Sequence, residues 1–193
     1  MKHPMMIKIL LGFALAMVGA QAYALAITPA SCGTTYVSGT SCWTGSTPNN
    51  PDAADVIGIT GISGLIEVYK QDVGAANDTG SFASSYQTTF NNDPLDPADA
   101  LIEYLSGPSI SCPECILLVK DGNQDPIWYL FDIGNVNTWN GTDDISLTAF
   151  WPNQGAISHV SIFSNTVPEP GILALLGVGL LGMTSLRRLK KTS

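Results

Sequence analysis

The sequence predicts an all-β protein, a single antiparallel β-sandwich flanked by an N-terminal signal helix and a C-terminal transmembrane helix. The middle of the 193-residue chain holds short apolar and β-branched runs separated by turn-forming residues. Convincing helical periodicity is lacking there. Each end instead carries a longer apolar run beside basic residues. Between the two ends lie residues 25–166, a common size for one domain with one core.

The N-terminal residues have the pattern of a secretory signal peptide. Lys2 and Lys8 precede a short apolar run, and small residues alternate up to Ala26. A basic start, an apolar core and a small-residue exit are typical of such signals. Cleavage is predicted after Ala24 or after Ala26. We assign residues 1–24 to the signal peptide and expect the rest of the chain to be exported.

The first part of the body predicts a loop followed by strands. Residues 30–55 are rich in Ser, Thr, Gly, Asn and Pro and favour a loop, with a short strand at residues 35–38. Residues 56–69 carry Val, Ile and Leu interrupted by three glycines. This pattern opposes a helix and predicts two strands around a turn at residues 61–64.

The next two segments also fit strands. Residues 81–90 alternate between an apolar face and a polar face, which indicates a half-exposed antiparallel strand. Residues 98–105 fit either a strand or a short helix with Asp96 as N-cap and Pro97 at its first position. The strand is favoured because the surrounding segments are β-like.

The last part of the body contains the clearest hairpin. Two apolar runs, residues 116–120 and 127–133, flank the turn-forming segment 121–126. The second run is apolar on both faces, which predicts a central strand. Residues 145–150 and 157–163 alternate in the same way as residues 81–90 and predict two further strands.

The charge of the body is strongly acidic. The formal net charge is −8, but Lys70 and Lys120 are the only basic residues between positions 25 and 166, against 15 acidic ones. Such a surface repels phosphate backbones, so we exclude nucleic-acid binding.

Four cysteines lie in the exported body. An even number in an oxidising compartment predicts disulfides, and closeness in sequence favours the pairs Cys32–Cys42 and Cys112–Cys115. The motif Cys112-Pro-Glu-Cys115 also fits a redox dithiol or half of a zinc site. The following residues read as a strand, whereas the thioredoxin type of motif opens a helix.

One spacing of oxygen ligands suggests calcium. Asp121, Asn123 and Asp125 match the first three ligand positions of an EF-hand loop, and Asp132 falls at the twelfth. Pro126 replaces the glycine of the sharp turn, so an ordinary acidic hairpin tip is favoured. No other cofactor is predicted.

The body has no clear catalytic signature, and we expect a protein that is not an enzyme. His159 is its only histidine, and no Gly-x-Ser-x-Gly elbow is present. Two enzymatic alternatives stay open: an envelope glycan hydrolase using paired carboxylates, or a periplasmic thiol-redox protein using Cys112 and Cys115.

Exposed tryptophans would suit stacking against sugar rings. The four tryptophans of the chain all lie in the body, and Trp139, in a polar loop, is the best candidate for such a contact. Trp128, within an apolar run, is expected in the core.

The C-terminal segment, residues 167–193, has three parts in a fixed order. Pro168, Glu169 and Pro170 are followed by an uncharged apolar run at residues 171–186, where a transmembrane helix is predicted. Four basic residues come next and place the C-terminus in the cytoplasm by the positive-inside rule. They are Arg187, Arg188, Lys190 and Lys191.

This order of elements resembles the PEP-CTERM sorting signal of Gram-negative bacteria, also labelled an ice-binding protein C-terminal segment. The resemblance implies recognition by an exosortase, an integral-membrane enzyme with a sortase-like role, in species that make exopolysaccharide. It also implies a precursor in the inner membrane with its body in the periplasm, and a mature form at the cell surface or outside the cell.

The combined expectation is an exported cell-surface or matrix protein sorted by an exosortase. We expect its body to act by binding or structural association with exopolysaccharide, as a component of a biofilm, rather than by catalysis.

Overall fold

The structure is a computed structural model that describes residues 24–32, 42–91, 96–122, 124–134, 139–151 and 155–165. Over these residues the chain is mostly β-sheet. The elements in chain order are β1 (Leu25–Ile27), a 3-10 helix (Pro29–Cys32), β2 (Cys42–Gly45), α1 (Ala53–Thr60), β3 (Ile66–Asp72), β4 (Tyr86–Phe90), β5 (Ala100–Tyr104), β6 (Cys115–Asp121), β7 (Trp128–Asp132), β8 (Ile145–Leu147) and β9 (Ile157–Ser164).

The strands form two sheets. One has four strands in the order β1-β8-β5-β4, and the other has five in the order β2-β7-β6-β9-β3. This agrees with the predicted all-β sandwich. The prediction of a purely antiparallel arrangement is wrong for one pair, because β1 runs parallel to β8. These two strands are far apart in sequence, so no tight turn forces them to run in opposite directions.

The main core lies between the two sheets. Residues from β4, β5 and β8 of one sheet meet residues from β3, β6 and β9 of the other in a single buried cluster. In β6, alternate residues point to opposite sides, and Leu117 and Val119 face this core. Every residue of β6 is buried, and β6 occupies the centre of its sheet.

The outer face of the five-stranded sheet has a second core under α1. Val56 of α1 packs there against the other set of β6 residues, Ile116 and Leu118, and against Phe163 of β9. This explains why β6 and β9 lack the exposed polar face that a strand covered on one side would show.

The prediction of two strands within residues 56–69 is wrong in its first half, because α1 occupies Ala53–Thr60. The Asp52 side chain accepts a hydrogen bond from the Asp55 amide at 3.0 Å, and the Asp55 side chain accepts one from the Asp52 amide at 3.1 Å. Gly61 then ends the helix in the left-handed conformation, with φ of 75°. This reciprocal capping box and the glycine cap outweigh the cost of Gly58 inside the helix.

Several strand predictions are confirmed. The segment 98–105 contains a strand, β5 at Ala100–Tyr104, rather than a helix, and the predicted hairpin is the antiparallel pair of β6 and β7. The strand predicted at residues 81–90 begins only at Tyr86, after a turn, and the one predicted at 145–150 ends at Leu147. Strands β1 and β2 were not predicted, and the strand predicted at residues 35–38 lies outside the described residues.

The predicted signal peptide at residues 1–24 lies outside the described residues except for its last residue, and the predicted transmembrane helix at residues 171–186 lies wholly outside them. Within the part of the chain that the structure describes, no helix is long and apolar enough to cross a bilayer.

Candidate functional site

An apolar cleft with a volume of about 520 Å³ opens beside β7. Its walls come from four places in the chain: the 3-10 helix after β1, the tip of the β6–β7 hairpin, β7 itself and the segment that follows β8. We name it the aromatic cleft. It is lined by Thr28, Pro29, Ala30, Asp125, Pro126, Tyr129, Ala149 and Trp151.

Two aromatic side chains form the floor of the cleft. The ring centroids of Tyr129 and Trp151 are 5.3 Å apart, and Phe150 packs beneath them with its centroid 5.5 Å from that of Tyr129. The indole nitrogen of Trp151 donates a hydrogen bond to the Pro126 carbonyl oxygen at 2.9 Å. Because this bond ties the indole to the hairpin tip, the ring is held in one orientation.

The backbone on both sides of Phe150 has an unusual conformation. Ala149 and Trp151 have φ of 60° and 47°, the left-handed region that residues with a Cβ seldom adopt. Such residues cost roughly 1–3 kcal/mol each and are concentrated at functional sites. Two hydrogen bonds hold the segment: the Ala149 amide donates to Asp99 Oδ1 at 2.8 Å, and the Phe150 amide donates to the Ala98 carbonyl at 2.9 Å.

Two of the predicted calcium ligands, Asp121 and Asp125, lie at the ends of the hairpin turn next to the cleft. Asp121 Oδ1 accepts from the Gln124 amide at 2.8 Å, and its Oδ2 accepts from the Ala156 amide at 2.6 Å. Asp121 therefore fastens the hairpin tip to the start of β9. Asn123 lies outside the described residues, and Asp125 is exposed at the rim of the cleft. Over the described ranges, no cluster of three or more His, Cys, Asp or Glu residues suits a metal.

The rim of the cleft carries few polar groups. The exposed Asp125 carboxylate accepts a hydrogen bond from the Ser46 hydroxyl, and the Thr28 hydroxyl contacts that of Ser31 at 3.3 Å. Burial raises the pKa of Tyr129, so its phenol stays protonated at neutral pH and can donate a hydrogen bond. The cleft thus combines an apolar floor with one carboxylate and a few hydroxyls.

The prediction that Trp139 stacks on a sugar is wrong. Trp139 is 4 % exposed and packs in the main core against Tyr86, with ring centroids 6.0 Å apart. Its indole nitrogen donates to the Asp143 carbonyl at 2.6 Å. The polar residues 140–143 that follow it turn back so that this carbonyl reaches the indole. Trp128 is buried as predicted.

The cysteines form disulfides in the favoured pairing, Cys32 with Cys42 and Cys112 with Cys115. The first joins the 3-10 helix to β2, and the second closes the turn that enters β6. Cys115 is fully buried. With all four cysteines paired, the structure holds the favoured disulfides and not the alternative of half a zinc site.

His159 is buried on the outer face of the five-stranded sheet, opposite Asp72 on β3 and Lys120 on β6. Its Nδ1 lies 3.7 Å from Asp72 Oδ1. Burial and the nearby Lys70 lower the pKa of His159 to about 4. The imidazole is therefore neutral at pH 7, away from the aromatic cleft.

Sequence reasoning did not select Tyr129 or Trp151. The available signal was the pair Phe150-Trp151 directly after a short strand, together with the prolines at positions 126 and 152. The sorting residues Pro168, Glu169 and Pro170 lie outside the described residues. So do the four basic residues that follow the apolar run: Arg187, Arg188, Lys190 and Lys191.

Comparison with known proteins finds one match, at the C-terminus. Residues 166–189 match the family model of the PEP-CTERM protein-sorting motif. Neither a curated protein nor a solved structure matches the chain. The match supports export of the protein and its processing by an exosortase. Residues 166–189 of this chain are therefore a PEP-CTERM protein-sorting motif.

Proposed function

We propose that the exported body is a non-catalytic binding protein that holds exopolysaccharide in the aromatic cleft. The observation that carries this proposal is the apolar floor of the cleft, made by the half-buried Tyr129 and by Trp151, which is 9 % exposed. Sugar rings present one face of C–H groups that packs on an aromatic surface, while their hydroxyls need polar partners at the edge. Asp125 and Thr28 supply such partners at the rim.

The number of carboxylates favours binding over hydrolysis. Glycoside cleavage by the usual mechanism needs two carboxyl groups on either side of the scissile bond. Among the residues that line the aromatic cleft, Asp125 is the single acid. The 15 acidic residues of the body would also repel an acidic polymer. We therefore propose a neutral polysaccharide as the partner.

We also propose a route to the matrix. The predicted signal peptide directs the chain across the inner membrane, and the apolar run at residues 171–186 holds the precursor there with its basic end in the cytoplasm. Processing at the sorting motif then separates the body from this segment. On this route the working protein is the body, and it reaches the cell surface or the biofilm matrix.

The binding proposal is tested by co-sedimentation of the purified body with insoluble extracellular polysaccharide. Trp151→Ala and Tyr129→Ala should each weaken binding about tenfold, the loss of roughly one aromatic stacking contact. Trp43→Ala is the matched control, since Trp43 packs on the outer cluster under α1 and not in the cleft. Thermal melts show whether each variant is folded.

Equal binding by the folded wild type, Trp151→Ala and Tyr129→Ala would refute the proposal. A release of reducing sugar ends by the wild type, abolished by Asp125→Asn, would instead favour the hydrolase alternative.

A further inference from the structure

A second cavity, of about 600 Å³, lies on the opposite open side of the sandwich. Strands β3 and β4 end their respective sheets on this side, whereas β1 and β2 end them on the side of the aromatic cleft. We name this second cavity the edge pocket. Its size falls within the roughly 300–1,000 Å³ typical of small-molecule sites.

The lining of the edge pocket is polar and lacks positive charge. It contains amides, hydroxyls and one carboxylate, with no Lys, Arg or His among its lining residues. The polar side chains that line it are Gln71, Asn77, Asp78, Ser84, Tyr86, Gln87 and Thr88. Amides and hydroxyls both donate and accept hydrogen bonds, and the carboxylate only accepts them, so this wall suits a polar ligand that is uncharged or cationic.

Gln71 offers a hydrogen-bond acceptor, its Oε1, that receives no hydrogen bond within the structure. Its side chain is 93 % buried, and its Nε2 donates to the Ala75 carbonyl at 3.0 Å, which fixes the orientation of the amide. Its Oε1 is buried and has no hydrogen-bond partner in the structure. A buried acceptor left in this state is unfavourable, and a donor placed in the pocket would relieve it.

Asp78 provides the single negative charge. Its carboxylate interacts with the hydroxyl of Tyr69, which also bonds the Thr88 hydroxyl at 2.6 Å. Burial raises the pKa of Asp78. The charged form therefore lacks full solvation, and a cationic donor would stabilise it.

We propose that the edge pocket binds an amino sugar unit, with its free ammonium against Asp78 and a hydroxyl or amine donor supplied to Gln71. A sugar carrying a carboxylate is rejected, because no basic side chain lines the pocket to pair with it. A neutral sugar satisfies the amides but leaves Asp78 without a charged partner, so it binds more weakly. The edge pocket does not share any lining residue with the aromatic cleft.

The test is an NMR titration of the isotope-labelled body with glucosamine, glucose and glucuronic acid. Glucosamine should shift the resonances of residues 75–78 and 83–88, glucose should do so at least tenfold more weakly, and glucuronic acid should not. Asp78→Asn and Gln71→Leu should each weaken glucosamine binding about tenfold or more. Glu103→Gln, an acid on β5 outside the pocket lining, is the matched control and should bind as the wild type does.

Gln87→Ala serves as a second variant because the Gln87 side chain is exposed and its loss leaves the core intact. It should weaken binding even if Asp78→Asn fails to fold. Two results would overturn the proposal: no glucosamine-dependent shifts in the wild type, or equal affinity in the wild type and the folded pocket variants. Trp151→Ala should retain glucosamine binding, since the two cavities are separate. Its loss in that variant would place the sugar in the aromatic cleft and would also overturn the proposal.

Discussion

Acidification from neutral pH to about pH 5 should destabilise the folded body through His159. This imidazole is 6 % exposed, and Lys70, Asp72 and Lys120 are the charged groups around it. Burial is the largest cause of its lowered pKa, followed by repulsion from Lys70. Asp72, whose Oδ1 lies 3.7 Å from the imidazole Nδ1, raises the pKa of His159, but by less than burial lowers it.

The sign of the effect follows from the two pKa values. In the folded chain His159 has a pKa of about 4, whereas its ordinary value in an unfolded chain is 6.5. Between these values the unfolded state binds a proton that the folded state does not bind. Stability is therefore unaffected above about pH 6.5 and falls as the pH decreases toward about 4.

The size of the effect is large compared with the net stability of a domain. Each pH unit inside the window removes roughly 1.4 kcal/mol, so about 2 kcal/mol is lost by pH 5. A typical domain is stable by about 5–15 kcal/mol. Urea denaturation of the body at pH 7.5 and pH 5 measures this loss.

The comparison protein is His159→Gln, which cannot take up the proton. Other groups titrate alike in both proteins, so the wild type should lose about 2 kcal/mol more than the variant between the two pH values. Equal losses in the two proteins would refute the reasoning, because His159 would then be charged or solvated in the folded state.

Three further predictions follow from the sequence and the structure. Mass spectrometry of the mature protein should find Leu25 as the first residue, because Leu25 and Ala26 pair with Ile145 and Ser146 of β8 and a cut after Ala26 would remove both; a start at residue 27 would contradict this. Asp52→Ala should cost about 1 kcal/mol in urea denaturation, whereas Asp52→Asn, which still caps the Asp55 amide, should cost little. Replacing residues 168–170 by alanine should leave an unprocessed precursor in the membrane fraction on immunoblots, and unchanged processing would count against exosortase sorting.

The strands with strong local signals could be predicted from the sequence. The β6–β7 hairpin has turn-forming residues between two apolar runs, and β4 has strict alternation, so local chemistry decides both. Strand β1 could not be found this way. It is three residues long and is stabilised by parallel pairing with β8, about 120 positions away in the chain.

Helix α1 escaped prediction from the sequence for a different reason. The sequence contains Asp52 and Asp55, which form the capping box of α1, but the glycines at positions 58, 61 and 64 favour strands separated by a turn over a helix. Gly61 in fact supplies the left-handed cap that ends the helix. A glycine considered alone does not distinguish the end of a helix from a β-bulge. The capping residues around it do.

The candidate site depended on burial, which local sequence does not determine. Trp139 has polar neighbours in sequence and is 4 % exposed, whereas Trp151 follows an apolar residue, is 9 % exposed and lines the aromatic cleft. Each indole nitrogen donates to a backbone carbonyl: that of Asp143 for Trp139, and that of Pro126 at the hairpin tip beside the cleft for Trp151. The contact of Trp151 with the hairpin tip, at a sequence separation of 25, thus places its ring in the wall of the cleft, which local sequence does not reveal.

The placement of the two cavities bears on how the body would act in a matrix. A sandwich of two open sheets leaves its cavities where the sheets end, and here one lies beside β7 while the other lies between β3 and β4 on the far side. Each is lined by a single carboxylate, Asp125 or Asp78, so neither lining offers the pair of acids that glycoside cleavage needs. If both cavities hold sugar at once, one body contacts two polysaccharide segments on opposite sides. Such a body would cross-link two polysaccharide segments, because holding one segment keeps the other within reach of the second cavity.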